Sequence, residues 1–364
     1  MAKLPLIIDG DGHVFEDVNA IYELMGEPYK NERRGLINAS PFPQGDHIHL
    51  PAGKSPPHTF DTSVRAPEWL QFAKEVGITA AVVYPSLALS YGRIQNQTWA
   101  TVSCRAYNDW LAREYCTPGS PLKGMACIPL QDPPAAAAEL RRAVTELGLL
   151  GAVLPPAGLR HRLGDPEYWP VLEVADELGC AVAVHGGAFP GIGLDDMRYH
   201  SAANALGHPI SQMISFASMV FNGTFERFPN VRFGFLEAGC SWLLVCLERF
   251  GASAFAFQDW EGDRGRQPLY GDALTDKLLE LLRGGRVFVG VEGEESTLAA
   301  TIALVGSARP FIFSSDYPHE VNAELCRHEI EELLENDALS QHDKEAILFH
   351  NAAEFYGIKV PARA

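Results

Sequence analysis

Eight short apolar runs, most of them separated by a helical pattern, constrain this chain more than any other feature. They span residues 6–9, 78–84, 124–128, 151–154, 181–185, 231–236, 287–291 and 311–314. Runs that are continuously apolar mark strands buried on both faces, as in parallel sheets. Between them, residues 94–116 carry Trp99, Val102, Ala106, Trp110 and Leu111 at helical spacings, and 135–147 stop at Gly148. Asp165-Pro166 opens a further helix over 166–178, and 272–283 and 322–335 read as acidic amphipathic helices. Strand alternating with helix eight times predicts an α/β fold, a single TIM-type (β/α)₈ barrel covering 1–364, with a doubly wound open sheet as the alternative. Gly10 and Gly12 flank Asp11 without making GxGxxG, so no dinucleotide fingerprint follows the first run.

A chain of 364 residues, 47% hydrophobic and 21% charged, can fill such a barrel as one domain. Its formal charge of −17, from 29 basic and 46 acidic residues, repels phosphate backbones and anionic lipid. Nucleic acid and membrane are therefore not expected as partners. The seven cysteines are odd in number, form no CxxC and sit mostly in apolar runs. They read as buried free thiols in a reducing compartment. No apolar stretch reaches the ~18 residues of a membrane helix, and MAKLPLIIDGDGH lacks a signal-peptide layout, so a cytoplasmic location is expected.

Two stretches interrupt the alternation. Residues 26–66, rich in Pro and Gly and holding His47, His49 and His58, read as a lid insertion over the barrel mouth. Residues 186–222 carry GGAFPGIG and then a helix with Met213, Phe216, Met219, Val220 and Phe221. That helix suits either core packing or a subunit interface, and a homo- or hetero-oligomer is expected.

In such barrels chemistry sits at the C-terminal ends of the strands. The first run leads into Asp9-Gly10-Asp11-Gly12-His13, the fifth ends in His185, the sixth is followed by Glu237, the seventh by Glu292, and the eighth by Asp316-Tyr317-Pro318-His319-Glu320. Asp11 and His13 are two apart, so on an extended chain they point to one side. With His185 and Asp316 converging from other strands they form a mixed nitrogen and oxygen set for Zn, Mn or Fe. Taken singly, each has a structural reading: Asp11 or Asp316 as a cap, His13 as a satisfied core histidine. Their joint placement favours a metal, because several unpartnered buried ionisable groups are costly. His208 reads as a ligand, a base or a helix-start residue, His200 lies near it, and His319 reads as a partner that orients Asp316 or as a rim residue. Glu292, Glu294 and Glu295 read as a solvated acidic edge, and Tyr84 and Trp242 as possible pocket residues.

These segments resemble the amidohydrolase superfamily, in its amidohydrolase-related branch. The resemblance rests on IIDGDGHVFED, NDWLAREYC, LKGMACIPLQDP, DPEYWPVLEVADELGCAVAVHGG, FERFPNVRFGFLEAGCSWL, FSSDYPHE and NAAEFYG, which together span nearly the whole chain. The branch includes metal-dependent decarboxylases of aromatic acids, such as aminocarboxymuconate semialdehyde decarboxylase, and hydrolases. The resemblance implies metal ligands at Asp11, His13, His185 and Asp316. Two positions depart from the family pattern: Asp11 replaces the first histidine of an HxH motif, and Glu237 replaces a catalytic histidine after the sixth strand. The implied function is a metal-dependent hydrolase or C–C lyase acting on a small carboxylated or amide-type molecule. Three carboxylates among Asp11, His13, His185, Glu237 and Asp316 exceed the charge of one divalent ion. Glu237 reads either as a carboxylate base beside one metal or as a ligand to a second metal; the latter, in a dinuclear non-haem iron oxygenase, is the alternative function, alongside a partner subunit of such an enzyme.

Overall fold

The computed structural model describes residues 6–30, 40–43, 63–261 and 269–359. The strands are β1 (Ile8–Val14), β2 (Ala80–Pro85), β3 (Leu122–Gly124), β4 (Ala126–Cys127), β5 (Gly151–Leu154), β6 (Ala181–His185), β7 (Arg232–Leu236), β8 (Val287–Val291) and β9 (Phe311–Phe313). Helices α1 (Val18–Met25), α2 (Ala66–Val76), α3 (Gln97–Glu114), α4 (Pro133–Thr145), α5 (Trp169–Leu178), α6 (His200–Phe221), α7 (Thr224–Arg227) and α8 (Ser241–Glu261) fill the connections as far as β7 and beyond it. They continue as α9 (Asp272–Arg283), α10 (Leu298–Val305), α11 (Ala323–Glu335), α12 (Gln341–Glu345) and α13 (Asn351–Tyr356).

All neighbouring strands are parallel, in the orders β1-β2-β3 and β4-β5-β6-β7-β8-β9. β3 and β4 are one barrel strand broken at Met125. The Met125 N–H still donates to Val83 O (3.2 Å), and Leu150 N–H to Gly124 O (3.0 Å). Counted so, the strands are the eight the apolar runs predict. Past β9 the chain bonds back to β1: Asp316 N–H donates to Asp11 O (2.9 Å) and His13 N–H to Tyr317 O (2.6 Å). The chain just after the last strand is thereby bonded to the first strand. The strand interiors are buried, and Phe233, Phe235, Phe288, Phe311 and Phe313 are among the largest side chains fully enclosed.

The runs at 151–154, 181–185 and 287–291 coincide with β5, β6 and β8. The first strand differs. It starts at Ile8 and runs on through Val14, so the polar Asp9-Gly10-Asp11-Gly12-His13 lies within the strand instead of after it. Its pairing with β2 slips between Asp9 and Gly12, a local irregularity of the kind that re-aims side chains beside active sites. Glycine is required there by close approach: a Cβ on Gly10 would stand 2.2 Å from Ile312 Cγ2, and one on Gly12 2.4 Å from Trp69 Cζ2. Gly10→Ala should therefore cost about 1–3 kcal/mol by overpacking. Thermal or denaturant unfolding checks this, and an unchanged midpoint would contradict the packing of β1 against β9.

Of the 26–66 segment, 31–39 and 44–62 lie outside the described residues, and with them His47, His49 and His58. Residues 40–43 pack on α3 and on the 3₁₀ turn after β2. Trp99 Nε1 donates to Pro41 O (2.8 Å), Ser90 Oγ to Pro43 O, and Phe42 is buried beside Tyr107. All seven cysteines are free, and Cys116 alone among them is not fully buried. Among the described residues no helix is long and apolar enough to cross a membrane.

Candidate metal centre

β1 and β6 carry two buried imidazoles whose tautomers the backbone sets. His13 Nδ1 lies 2.8 Å from Pro85 O and His185 Nδ1 2.7 Å from Gly186 O. A carbonyl only accepts, so each Nδ1 holds a proton and each Nε2 is the nitrogen turned inward. His185 Nε2 stands 3.3 Å from Asp11 Oδ1, and His13 Nε2 3.8 Å from the same oxygen. Their ring centroids are 4.9 Å apart. Asp11, His13 and His185 thus offer ligand atoms that all lie within 4.8 Å of one another.

His13 also belongs to a second group, with Asp316 and His319. Its Nε2 lies 3.2 Å from Asp316 Oδ1. His319 Nδ1 approaches the same Asp316 oxygen at 2.9 Å, and its Nε2 lies 2.9 Å from Ser86 Oγ. Burial works against charge on His13, but the Asp316 and Asp11 carboxylates outweigh it and push the imidazole up to about 9. Burial likewise opposes the Asp316 charge, yet the His319 and His13 rings hold its carboxyl far below the usual range. Asp316 remains an anion throughout the working pH range.

Glu237, after β7, faces a different nitrogen. Its Oε2 is 3.3 Å from His185 Nδ1 and 3.3 Å from His208 Nδ1. His208 reaches this point because Gln212, one turn further along α6, donates to both Val184 O (3.0 Å) and Leu236 O (2.8 Å), tying the helix to the ends of β6 and β7. Burial, then neighbouring His185, drives His208 down to about 3, so it is neutral. Burial, with Asp316 and Asp11 near by, raises the Glu237 carboxyl well above its usual value. Among the described residues, Glu237 and Asp316 are the two non-glycines with positive φ, at 53° and 55°. Such backbone costs roughly 1–3 kcal/mol and clusters at functional sites.

Among the described residues, six buried polar atoms in this cluster have no hydrogen-bond partner: both Asp11 carboxylate oxygens, Nε2 of His13 and of His185, Nδ1 of His208 and Oε2 of Glu237. Unpaired polar atoms in a dry interior cost several kcal/mol in total. Two imidazole Nε2 atoms facing an anionic oxygen at 3.3–3.8 Å become, once the ion displaces any proton on them, the donor set a divalent cation needs. The residues present fit a metal.

Residues 46–358 match the amidohydrolase family. The chain belongs to that family. A 2-amino-3-carboxymuconate-6-semialdehyde decarboxylase from Dictyostelium discoideum is 27% identical over 253 residues, 69% of this chain and 65% of that one. The chain thus spans slightly less than two thirds of that relative's length. An amidohydrolase from Mycobacterium avium subsp. paratuberculosis K-10 shares the fold with TM-score 0.73 and 20% identity, covering 99% of this chain and 100% of that one. A dihydroxybenzoic acid decarboxylase from Polaromonas sp. JS666, solved with bound manganese and 2-nitroresorcinol, gives TM-score 0.65 and 19% identity over 98% of each chain.

In this amidohydrolase the family match begins after β1, so Asp11 and His13 are joined to the site by the fold. Sequence reasoning named Asp11, His13, His185, Glu237, Asp316, His208 and His319, and all seven meet at one place. It passed over Asp9 and Tyr356 beneath them, and read Tyr84 as a possible pocket residue. Asp9 is buried and accepts from Ser315 N–H (3.0 Å) and Ser315 Oγ (2.6 Å), clamping β1 to the chain after β9. Tyr84 stacks on His185 with centroids 5.3 Å apart, and its hydroxyl meets that of Tyr356 at 2.7 Å. Tyr356 in turn donates to Gly10 O. Trp242 packs in the core against Phe216 and Phe235. In the acidic run Glu292 and Glu294 are exposed, while Glu295 accepts from Cys240 N–H and Glu292 N–H.

Because Tyr356 fixes the strand bulge that carries Asp11, Tyr356→Phe should weaken metal binding about 10–100-fold with the fold retained. Metal titration followed by calorimetry, beside circular dichroism, checks this. An unaltered affinity would show the bulge to be held without Tyr356.

Proposed function

We propose that this protein is a metal-dependent decarboxylase of small carboxylated aromatic acids. Asp11, His13, His185 and Asp316 hold the ion, and Glu237 and His208 handle the proton. The observation that carries the reading is the arrangement around His185: Nε2 turned to Asp11, Nδ1 turned to Glu237. One ring thereby separates a ligand side from a proton-transfer side. The names of the Dictyostelium and Polaromonas relatives support decarboxylation as the reaction.

A divalent ion bound here acts as a Lewis acid on a substrate oxygen. The chain's own residues supply the rest. Glu237, raised by burial and neighbouring carboxylates, carries a proton on Oε2 and delivers it to the substrate carbon. The bond to the carboxyl group then breaks, its electron pair stays on that carbon, and carbon dioxide leaves. Neutral His208 Nδ1, 3.3 Å from Oε2, accepts a hydrogen bond from the protonated carboxyl and orients it. His319, anchored by Ser86, orients Asp316. The unpartnered Glu237 and His208 atoms also favour a second reading, in which they bind a second iron for oxygenation.

The reading extends to a single catalytic domain of 1–364. Free thiols suit the cytoplasm. Exposed Phe255, Phe257 and Trp260 on α8 suit contact with another subunit.

The test is elemental analysis of the purified protein, with chelation and re-addition of manganese or zinc. About one ion per chain is expected. Chelation should lower the thermal midpoint and stop carbon dioxide release from a hydroxybenzoate panel, since an ion at 1,000 times its Kd stabilises by about 4 kcal/mol. Re-addition should restore both. Protein that is isolated metal-free and binds none of Mn, Zn or Fe would overturn the proposal.

A further inference from the structure

A cavity of about 790 Å³ opens on the same end of the strands as the metal centre. Its walls come from segments that follow strands: Arg93 after β2, residues 158–165 after β5, and Pro190 and Gly191 after β6. Such segments lie at the C-terminal face. Three guanidinium groups, Arg93, Arg160 and Arg162, line this one cavity in a chain of net charge −17.

The loop bearing Arg160 and Arg162 is held in place from several sides. Tyr91 Oη donates to Val153 O (2.9 Å) at the end of β5, His161 N–H to Tyr168 Oη (3.2 Å), and Gly164 N–H to Ser218 Oγ (3.1 Å). Gly158 takes φ +86°, and a Cβ there would meet Arg93 Cγ at 3.1 Å, so the loop and Arg93 lie in contact. The carboxylates near by are already engaged. Asp165 accepts from Glu167 N–H (2.9 Å), and Glu167 Oε2 pairs with His161 Nε2 (2.8 Å). Among the described residues the Arg162 guanidinium reaches only the Gly191 carbonyl, at 3.4 Å. Among the described residues neither Arg160 nor Arg162 has a carboxylate at ion-pair distance.

We propose that this cavity is an anion-binding site that takes a small molecule bearing a phosphate or carboxylate group, gripped by Arg160 and Arg162 with Arg93 beside them. Planar guanidinium groups from adjoining segments suit bidentate recognition of an oxyanion. The same chemistry serves two sources: the far end of an elongated anionic substrate, or a free anion that binds beside it.

Calorimetric titration of the metal-loaded protein with inorganic phosphate at low ionic strength tests the site without turnover, so the result stands apart from the decarboxylase reading. Saturable binding is expected, weakened at least tenfold in Arg160→Gln/Arg162→Gln with an unchanged thermal midpoint. No saturable binding, or binding that the double variant leaves intact, would overturn the proposal. Turnover then separates the sources. Phosphate that raises KM and leaves kcat alone marks the site of the substrate's remote end. Phosphate that binds together with substrate at unchanged KM marks a free-anion site.

Discussion

Replacing His185 with alanine should remove most of the bound metal and reduce turnover by about 10³-fold or more. The ring does three things at once. Its Nε2 completes the group with Asp11 and His13, its Nδ1 proton is committed to Gly186 O, and its face lies against Tyr84. Alanine deletes the ligand and leaves Asp11 facing His13 alone at 3.8 Å. Metal acting as a Lewis acid contributes several kcal/mol of transition-state stabilisation, and each 1.4 kcal/mol is about tenfold in rate. The checks are metal content per chain by mass spectrometry and kcat/KM, with circular dichroism to establish folding. A folded His185→Ala protein with full metal content would sink the assignment of this cluster as the metal centre.

Glu237→Gln should leave the metal in place and lower kcat about 10²–10⁴-fold, the span ordinarily associated with a positioned acid or base. Glu237 faces Nδ1 of His185, which is occupied by its own proton, and lies on the side away from Asp11. Glutamine keeps the size of the side chain and its contact with His208 but has no proton to transfer. The dinuclear reading gives a different result. If Glu237 and His208 hold a second ion, the amide, a much poorer ligand than a carboxylate, should halve the metal-to-chain ratio. Oxygen provides the independent measurement. A decarboxylase turns over under anaerobic conditions, whereas an iron oxygenase consumes dioxygen with its substrate and an electron source. Strict oxygen dependence, or a halved metal content in Glu237→Gln, would replace the one-metal mechanism.

Much of the site was legible because the apolar runs locate strand ends, and strand ends are where a parallel barrel gathers its chemistry. His185 is the last residue of β6, Glu237 follows β7 directly, and Asp316 stands three residues past β9. The two-residue spacing of Asp11 and His13 also carried correctly into space, since both turn to His185 or Asp316 despite the register slip in β1. The end of the first strand was less legible. Asp9-Gly10-Asp11-Gly12-His13 is too polar to read as a buried strand, yet Trp69 Nε1 bonding His13 O (2.7 Å) and Ser315 bonding Asp9 hold it in the sheet.

By itself, then, the sequence determined the alternation of strand and helix, the absence of a dinucleotide fingerprint, and which ionisable residues stand at strand ends. These follow from local periodicity and from the cost of leaving polar groups among apolar neighbours. Only the tertiary structure decided which nitrogen of each imidazole faces inward, because that depends on carbonyls such as Pro85 O, 72 residues away from His13. It alone set Glu237 on the Nδ1 side of His185 with His208 above it. It alone brought Tyr356 from the last helix under Gly10, 346 residues earlier. Those contacts arise from how whole strands and helices pack against one another, which no short window of sequence encodes.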